Sequence, residues 1–191
     1  MQTQIKTYIQ TSKGLKFITI FGYATRGVPG VQINGAGRLS KNIKEKIIYL
    51  TRNKNIKLST KRYVICLDIS DCSESLGVEE LKSIELPILL IFWYLAGILP
   101  MKKLDNCLCS GWFTTQGIIY QSPYPFGLDK YLPVDLTPVE FKSLKHITFI
   151  DGESGFQKID SRLLLEHLSD LKFRIDYIER DSAIPIKSIR A

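Results

Sequence analysis

Residues 83–100, SIELPILLIFWYLAGILP, constrain the fold of this chain more than any other stretch. From Ile84 to Leu99 the one charged residue is Glu85. Ile84, Ile88, Ile91, Leu95 and Ile98 recur at three-to-four-residue steps, the period of a helix. Leu89, Leu90, Phe92 and Trp93 fill most of the remaining sides, so the helix has to be covered nearly all round. Pro87 suits the first turn, where its missing N–H is not needed. Ser83 is predicted as the N-cap, with Glu85 close to the positive end of the helix. Gly97 and Pro100 stop the run. It holds about 16 apolar-rich residues, short of the ~20 needed to span a bilayer, so a buried core helix and no membrane partner are expected.

A chain of 191 residues can bury a sizeable core without a disulfide or metal. One domain over 1–173 is expected, with 174–191 as a C-terminal tail or edge strand. The four cysteines, Cys66, Cys72, Cys107 and Cys109, contain no C-x-x-C pair, and His146 and His167 lie far from them in sequence. Structural thiols are therefore expected, with Cys66 and Cys107 buried in strands, and no metal or cofactor. The N-terminus MQTQIKTYIQ has no secretory h-region, which makes a reducing, cytoplasmic setting the default.

The net charge of +7 is unevenly spread. Ten basic residues between Arg26 and Arg62 face one acid, Glu45, giving +9 there. From Asp68 to Glu85 six acids face Lys82. Such asymmetry points to an anionic partner.

Read in order, residues 4–10 and 16–23 are rich in β-formers around Thr11-Ser12-Lys13-Gly14 and predict a hairpin. A short strand at 31–33 follows, then a helix over 39–52 with Leu39, Ile43, Ile47 and Leu50 on one stripe. Ser40 is its expected cap, and Lys41, Lys44 and Lys46 lie elsewhere on the cylinder. A strand at 63–69 leads to an acidic loop at 71–80. Beyond the core helix, a turn at 102–105 precedes a strand at 106–113, in which Leu108 alternates against the cysteines, and 117–120 pairs with it. Residues 121–136 read as a proline-rich loop, 138–143 as a helical turn, 146–150 as a strand and 160–171 as a helix capped by Asp160 or Ser161. The elements do not alternate strictly, so the fold class is α+β: one twisted mixed sheet with helices mainly on one face.

Several of these pieces form a pattern together. Gly27-Val28-Pro29-Gly30-Val31-Gln32-Ile33-Asn34-Gly35, a basic helix, Val64-Ile65-Cys66-Leu67-Asp68-Ile69-Ser70-Asp71, Ile84-Glu85-Leu86-Pro87-Ile88, Cys109-Ser110-Gly111 and Gly117 follow in that order. They resemble the N-terminal domain of ComM/YifB-type proteins, the magnesium-chelatase-like AAA+ family. That pattern has a GLPGF-x-I-x-G turn, a helix, a VNLAP-x-D strand, a FDLPIAL helix start, a strand ending in GEL and a G-x-(I/L)-R-P-V strand. The resemblance runs from about residue 4 to 172, with a short strand expected before the closing helix.

The resemblance implies a fold like the Lon proteolytic domain, of the superfamily named after a domain of a small-subunit ribosomal protein. It implies DNA and an AAA+ ATPase domain or subunit as partners, since in ComM the domain precedes a hexameric ATPase that drives branch migration. A homo-oligomer is a further expectation. The departures are specific: GEL is Gly111-Trp112-Phe113, and Arg-Pro-Val is Tyr120-Gln121-Ser122. No G-x-x-x-x-G-K-[ST] phosphate loop occurs, and Asn34-Gly35-Ala36-Gly37-Arg38 lacks the Lys-Ser/Thr that would meet phosphate and metal, so this chain is not itself the ATPase.

A Lon-class peptidase needs a serine activated by a lysine of lowered pKa. Laid on this chain, the serine position falls at Leu86; a slipped reading nominates Ser83 with Lys130 as an alternative dyad. His146 and His167 read as structural, and Asp68, Asp71 and Glu74 as a solvated loop. The expected nucleic-acid contacts are Arg38, Lys41, Lys44, Lys54, Lys57, Lys61 and Arg62, binding phosphate without regard to sequence and in a salt-sensitive way. Only Tyr49 and Tyr63 interleave with them, which disfavours base stacking on single strands by this segment. The leading expectation is a non-catalytic Lon-like binding or assembly module in DNA processing. The alternatives are the peptidase and a scaffold with no nucleic-acid role, assembling through an exposed sheet edge.

Overall fold

The β-formers at the start of the chain build one long hairpin. In the computed structural model β1 (Gln2–Thr11) and β2 (Gly14–Thr25) pair antiparallel from Gln2 opposite Tyr23 to Thr11 opposite Gly14. The structure describes residues 1–11, 14–53, 56, 58–69, 77–99 and 103–122, and the backbone of three later strands. The expected loop at 123–136, the turn at 138–143 and the body of the 160–171 helix lie outside the described residues. So do Cys72, Asp71, Glu74 and His167.

The next strand, β3 (Gly30–Asn34), runs parallel to β4 (Arg62–Asp68), and α1 (Leu39–Asn53) crosses between them. The predicted apolar stripe is what fixes α1: Ile43, Ile47 and Leu50 are buried, and Leu39 packs against the edge of the core. β4 pairs antiparallel with β2. On the other flank of the hairpin β5 (Cys107–Leu108) runs parallel to β1, followed by the later strands β8 (Lys145–Ile147) and β10 (Ile175–Asp176). The order β10-β8-β5-β1-β2-β4-β3 leaves β3 and β10 at the edges.

The period of two along each strand sorts the residues. Ile5, Ile9, Ile18, Ile20, Ile33, Ile65 and Leu67 face the helices and form the core. The central helix, α3 (Glu85–Leu95), lies across β1, β2 and β4, and all its residues are buried. It comes close to the sheet at Gly22, where an added Cβ would stand 2.8 Å from the Ile91 Cγ2 and 3.0 Å from the Val64 carbonyl. A side chain there would have to push the helix off the sheet.

The helical run begins earlier than its apolar pattern does. α2 (Val78–Leu81) and a 3-10 turn (Lys82–Ile84) lead directly into α3. The run is capped at its true start, where the Glu80 carboxylate accepts the Gly77 N–H at 2.7 Å, the reach-back half of a capping box. Ser83 is therefore not the N-cap: it sits within a continuing helical run with no free N–H end to satisfy. Its hydroxyl instead donates to the Glu80 carbonyl at 3.1 Å and the Tyr8 carbonyl at 3.4 Å. At the other end Gly97, at φ 76°, turns the chain in the left-handed region, and Ile98 N–H reaches the Trp93 carbonyl at 2.8 Å in a Schellman closure. Among the described residues no helix is long and apolar enough to cross a membrane.

The strand expected at 106–113 is two strands in two sheets. After β5 the chain turns at Ser110 and forms β6 (Gly111–Phe113), which pairs antiparallel with β7 (Ile118–Gln121). β9 (Lys158–Asp160) completes this second sheet, ordered β6-β7-β9. The single sheet read from the sequence is corrected to a mixed seven-stranded sheet and a small three-stranded one. The physical reason is α3, which is apolar on every side and so takes β6 against it as well as β1, β2 and β4. The α+β class stands.

Among the described residues, three buried side-chain atoms lack a hydrogen-bond partner: Thr3 Oγ1, Thr7 Oγ1 and Trp93 Nε1. Thr7 is fully buried in the row of Ile5 and Ile9 and lies opposite Ile18. Thr7→Val removes an unpaired hydroxyl at nearly constant volume and should stabilise the fold by about 1 kcal/mol, read as a higher urea midpoint.

Candidate functional site

Beside the edge strand β3 the apolar stripe of α1 turns its other positions outward. Lys41, Lys44, Ile48 and Arg52 fall three or four residues apart and so share one face. That face looks into two adjoining clefts that share Gly30 and Val31 of β3. One, of about 430 Å³, is lined by Lys41, Lys44 and Arg62; the next, of about 360 Å³, by Ile48, Arg52 and Lys61. Lys41, Arg52, Lys61 and Arg62 are exposed and Lys44 is half-buried. Arg38, exposed, stands immediately before α1. Among the described residues five cations thus border one edge groove, and the one acid on α1 is Glu45.

Of the contacts expected from the sequence, Lys41, Lys44 and Arg62 meet in the first cleft and Lys61 joins from the second. Lys54 and Lys57 lie outside the described residues. Arg52 was not among the expected contacts, although its spacing from Lys41 and Lys44 on the helix could have found it. Arg62 is placed by pairing opposite Gly30 on β3, and its guanidinium donates to Gln32 Oε1. Gln32 in turn donates to Asn34 Oδ1 at 3.1 Å, and the Asn34 amide approaches Cys66 Sγ at 3.4 Å. This polar chain holds Arg62 against the outer face of the sheet.

Lys46 takes no part in the groove, although it sits on the same basic helix. Its Nζ lies 2.7 and 2.9 Å from the two Glu85 carboxylate oxygens, 3.4 Å from the Phe113 carbonyl and 5.6 Å above the Phe113 ring. Glu85 is 2% exposed, so Lys46 supplies the charge and hydrogen bonds that a buried carboxylate requires. The pair ties α1 to the start of α3 beside β6.

Around Ser83 the hydroxyls are committed to backbone. Ser110, fully buried, donates to the Tyr8 carbonyl at 2.8 Å, and Tyr8 OH donates to the Ser122 carbonyl at 3.2 Å. Leu86, where the resemblance puts a peptidase's serine, is buried in the first turn of α3. Lys130 lies outside the described residues. Among the described residues no group of three or more His, Cys, Asp or Glu side chains gathers in a way that could hold a metal.

Cys107 and Cys109 are buried on the core side of the strand, and Leu108 faces the other way, as the alternation predicts. Cys66 departs from expectation: it is half-buried, because residue 66 falls on the outward-facing set of β4. Burial pushes the Cys109 thiol far above its usual range, with the neighbouring Cys107 as the lesser cause.

Compared with known proteins, the chain matches no family model and no curated protein.

Lys46→Met leaves the Glu85 carboxylate buried without a partner and should cost about 3 kcal/mol, whereas Lys46→Met combined with Glu85→Met should recover most of that loss. Urea midpoints of the two variants and the parent check it, and a single variant as stable as the parent would contradict it. In a Cys66→Ser, Cys72→Ser background the remaining thiols should react with a disulfide reagent only on unfolding. A thiol in the unfolded chain ionises near ~8.5, while Cys109 in the fold does not, so stability should decline as pH rises past that value and Cys109→Ala should lessen the decline.

Proposed function

We propose that this chain is a non-catalytic Lon-like binding and assembly module of a ComM-type DNA-processing system. It contacts phosphates through the α1–β3 groove and works with an AAA+ ATPase domain or subunit supplied elsewhere. The observation that carries the reading is the convergence of Lys41, Lys44 and Arg62 on one cleft, continued by Arg52 and Lys61 along the same helix face. Cations spaced along a groove neutralise successive phosphates and release counterions, which gives sequence-independent affinity.

The order of elements supports the family part of the proposal. The Gly-x-Pro-Gly turn precedes β3; a basic helix, a strand and an acid-Leu-Pro helix start follow, and β6 and β7 come next. A short strand, β9, ends at Asp160, where the resemblance expects a short strand before a closing helix. The peptidase alternative has less behind it, because Ser83 donates its hydroxyl to two main-chain carbonyls and Leu86 offers no nucleophile.

Fluorescence anisotropy with labelled duplex and four-way-junction DNA, at about 50 and 200 mM salt, tests the proposal. Binding should weaken steeply between the two. Lys41→Ala with Lys44→Ala should lower the slope of log affinity against log salt by about 2, the share of two phosphate contacts. Absence of binding at the lower salt, or affinity indifferent to salt, would sink the DNA part of the proposal.

A further inference from the structure

Among the described residues, the face of the large sheet turned away from α1 and α3 carries two aromatic rings in the open. Alternation along β2 sends Ile18 and Ile20 inward and Phe21 and Tyr23 outward, where they are 41% and 42% exposed. They stand in the interior of the sheet, with a paired strand on each side.

The strand register frames them with amides. On β1, Gln4 lies opposite Phe21 and Gln2 opposite Tyr23. On the other flank Cys66 and Val64 of β4 come next, and beyond them Asn34 and Gln32 of β3. All four amide residues are exposed. The frame ends at Arg62, which donates to Gln32 and also lines the cleft with Lys41 and Lys44. One residue therefore belongs to both surfaces, and the ring-bearing face runs into the basic groove over the β4–β3 edge.

Exposed ring faces, amide donors and acceptors beside them, and an adjoining row of cations are what single-stranded nucleic acid requires. Bases stack on the rings, their free edges meet the amides, and the backbone follows the charge. A duplex hides its base faces and would engage the groove alone. Charge selects this occupant over a neutral polymer: among the described residues that face carries Lys6 and Arg62 against the single acid Asp68, the groove adds Lys41 and Lys44, and the chain carries +7.

We infer that the outer face of the large sheet binds single-stranded nucleic acid, with bases on Phe21 and Tyr23 and the phosphates led over Arg62 into the α1–β3 groove. The inference rests on the phosphate-groove reading and deepens it by naming the form of nucleic acid held.

Three labelled probes of equal length separate the two: an oligothymidylate, an abasic strand with the same phosphates, and a duplex. The wild-type chain should bind oligothymidylate about tenfold or more tighter than the abasic strand. Phe21→Ala with Tyr23→Ala, and Phe21→Leu with Tyr23→Leu, should abolish that preference and leave abasic and duplex binding unchanged. Lys41→Ala with Lys44→Ala should weaken all three. A 5-iodouracil strand photo-crosslinked to the wild-type chain, which needs no variant to fold, should mark Phe21 or Tyr23. Equal affinity for the thymidylate and abasic strands, or cross-links confined elsewhere, would overturn the inference; if abasic and duplex binding then still fell with salt, the groove reading would survive alone. No binding to any probe would overturn both. Ring variants that change only the oligomeric state in sedimentation would assign the face to a second copy of the chain and overturn the inference as well.

Discussion

A helix with no polar side cannot lie on a sheet and leave its back to water. α3 is such a helix, buried along its whole length, and the arrangement of the described residues follows from enclosing it. The hairpin and β4 supply the floor, brought close by the missing side chain at Gly22. β6 packs on the helix from the second sheet, and Lys46 ties α1 to its first turn. The chain leaves the large sheet after Leu108 and starts β6 three residues later, which is how a strand that began beside β1 ends by covering α3.

The one acid in that helix shows how enclosure sets its own electrostatic terms. Glu85 goes inside with the apolar residues around it, and a buried carboxylate without a partner is costly. Lys46 answers it from α1, and in doing so fixes how α1 sits against α3. The same rotation of α1 that sends Lys46 inward leaves Lys41, Lys44 and Arg52 facing the β3 edge. The basic groove is thus the other side of the core's packing: three apolar stripe residues and one ion pair decide which cations remain outside.

Much of the fold was legible in the sequence because its signals are local. Alternation named the strands of the hairpin, the stripe of Ile43, Ile47 and Leu50 named α1, and Gly97 marked the end of α3. The misreadings came where the apolar pattern did not mark the boundary or a nonlocal partner decided. Ser83 has the side chain of a cap, but helical residues already precede it, and the cap is made by Glu80. Residues 106–113 read as one strand, since nothing in their alternation reports that two sheets share them. Cys66 has the apolar neighbours of a buried thiol, yet the register of β4 turns it toward the outer face.

The sequence by itself determined the helix that must be hidden, the excess of positive charge between Arg26 and Arg62, and the alternating residues of the strands. It also supplied the seven candidate cations, without saying which of them share a surface. Only the tertiary structure gathered Lys41, Lys44 and Arg62 at one edge and withdrew Lys46 from them. It also set Phe21 and Tyr23 on the same sheet face as Arg62, about 40 residues away along the chain. The reason is geometric: periodicity along a segment tells which residues share its face, whereas strand pairing and helix packing tell which faces of distant segments meet.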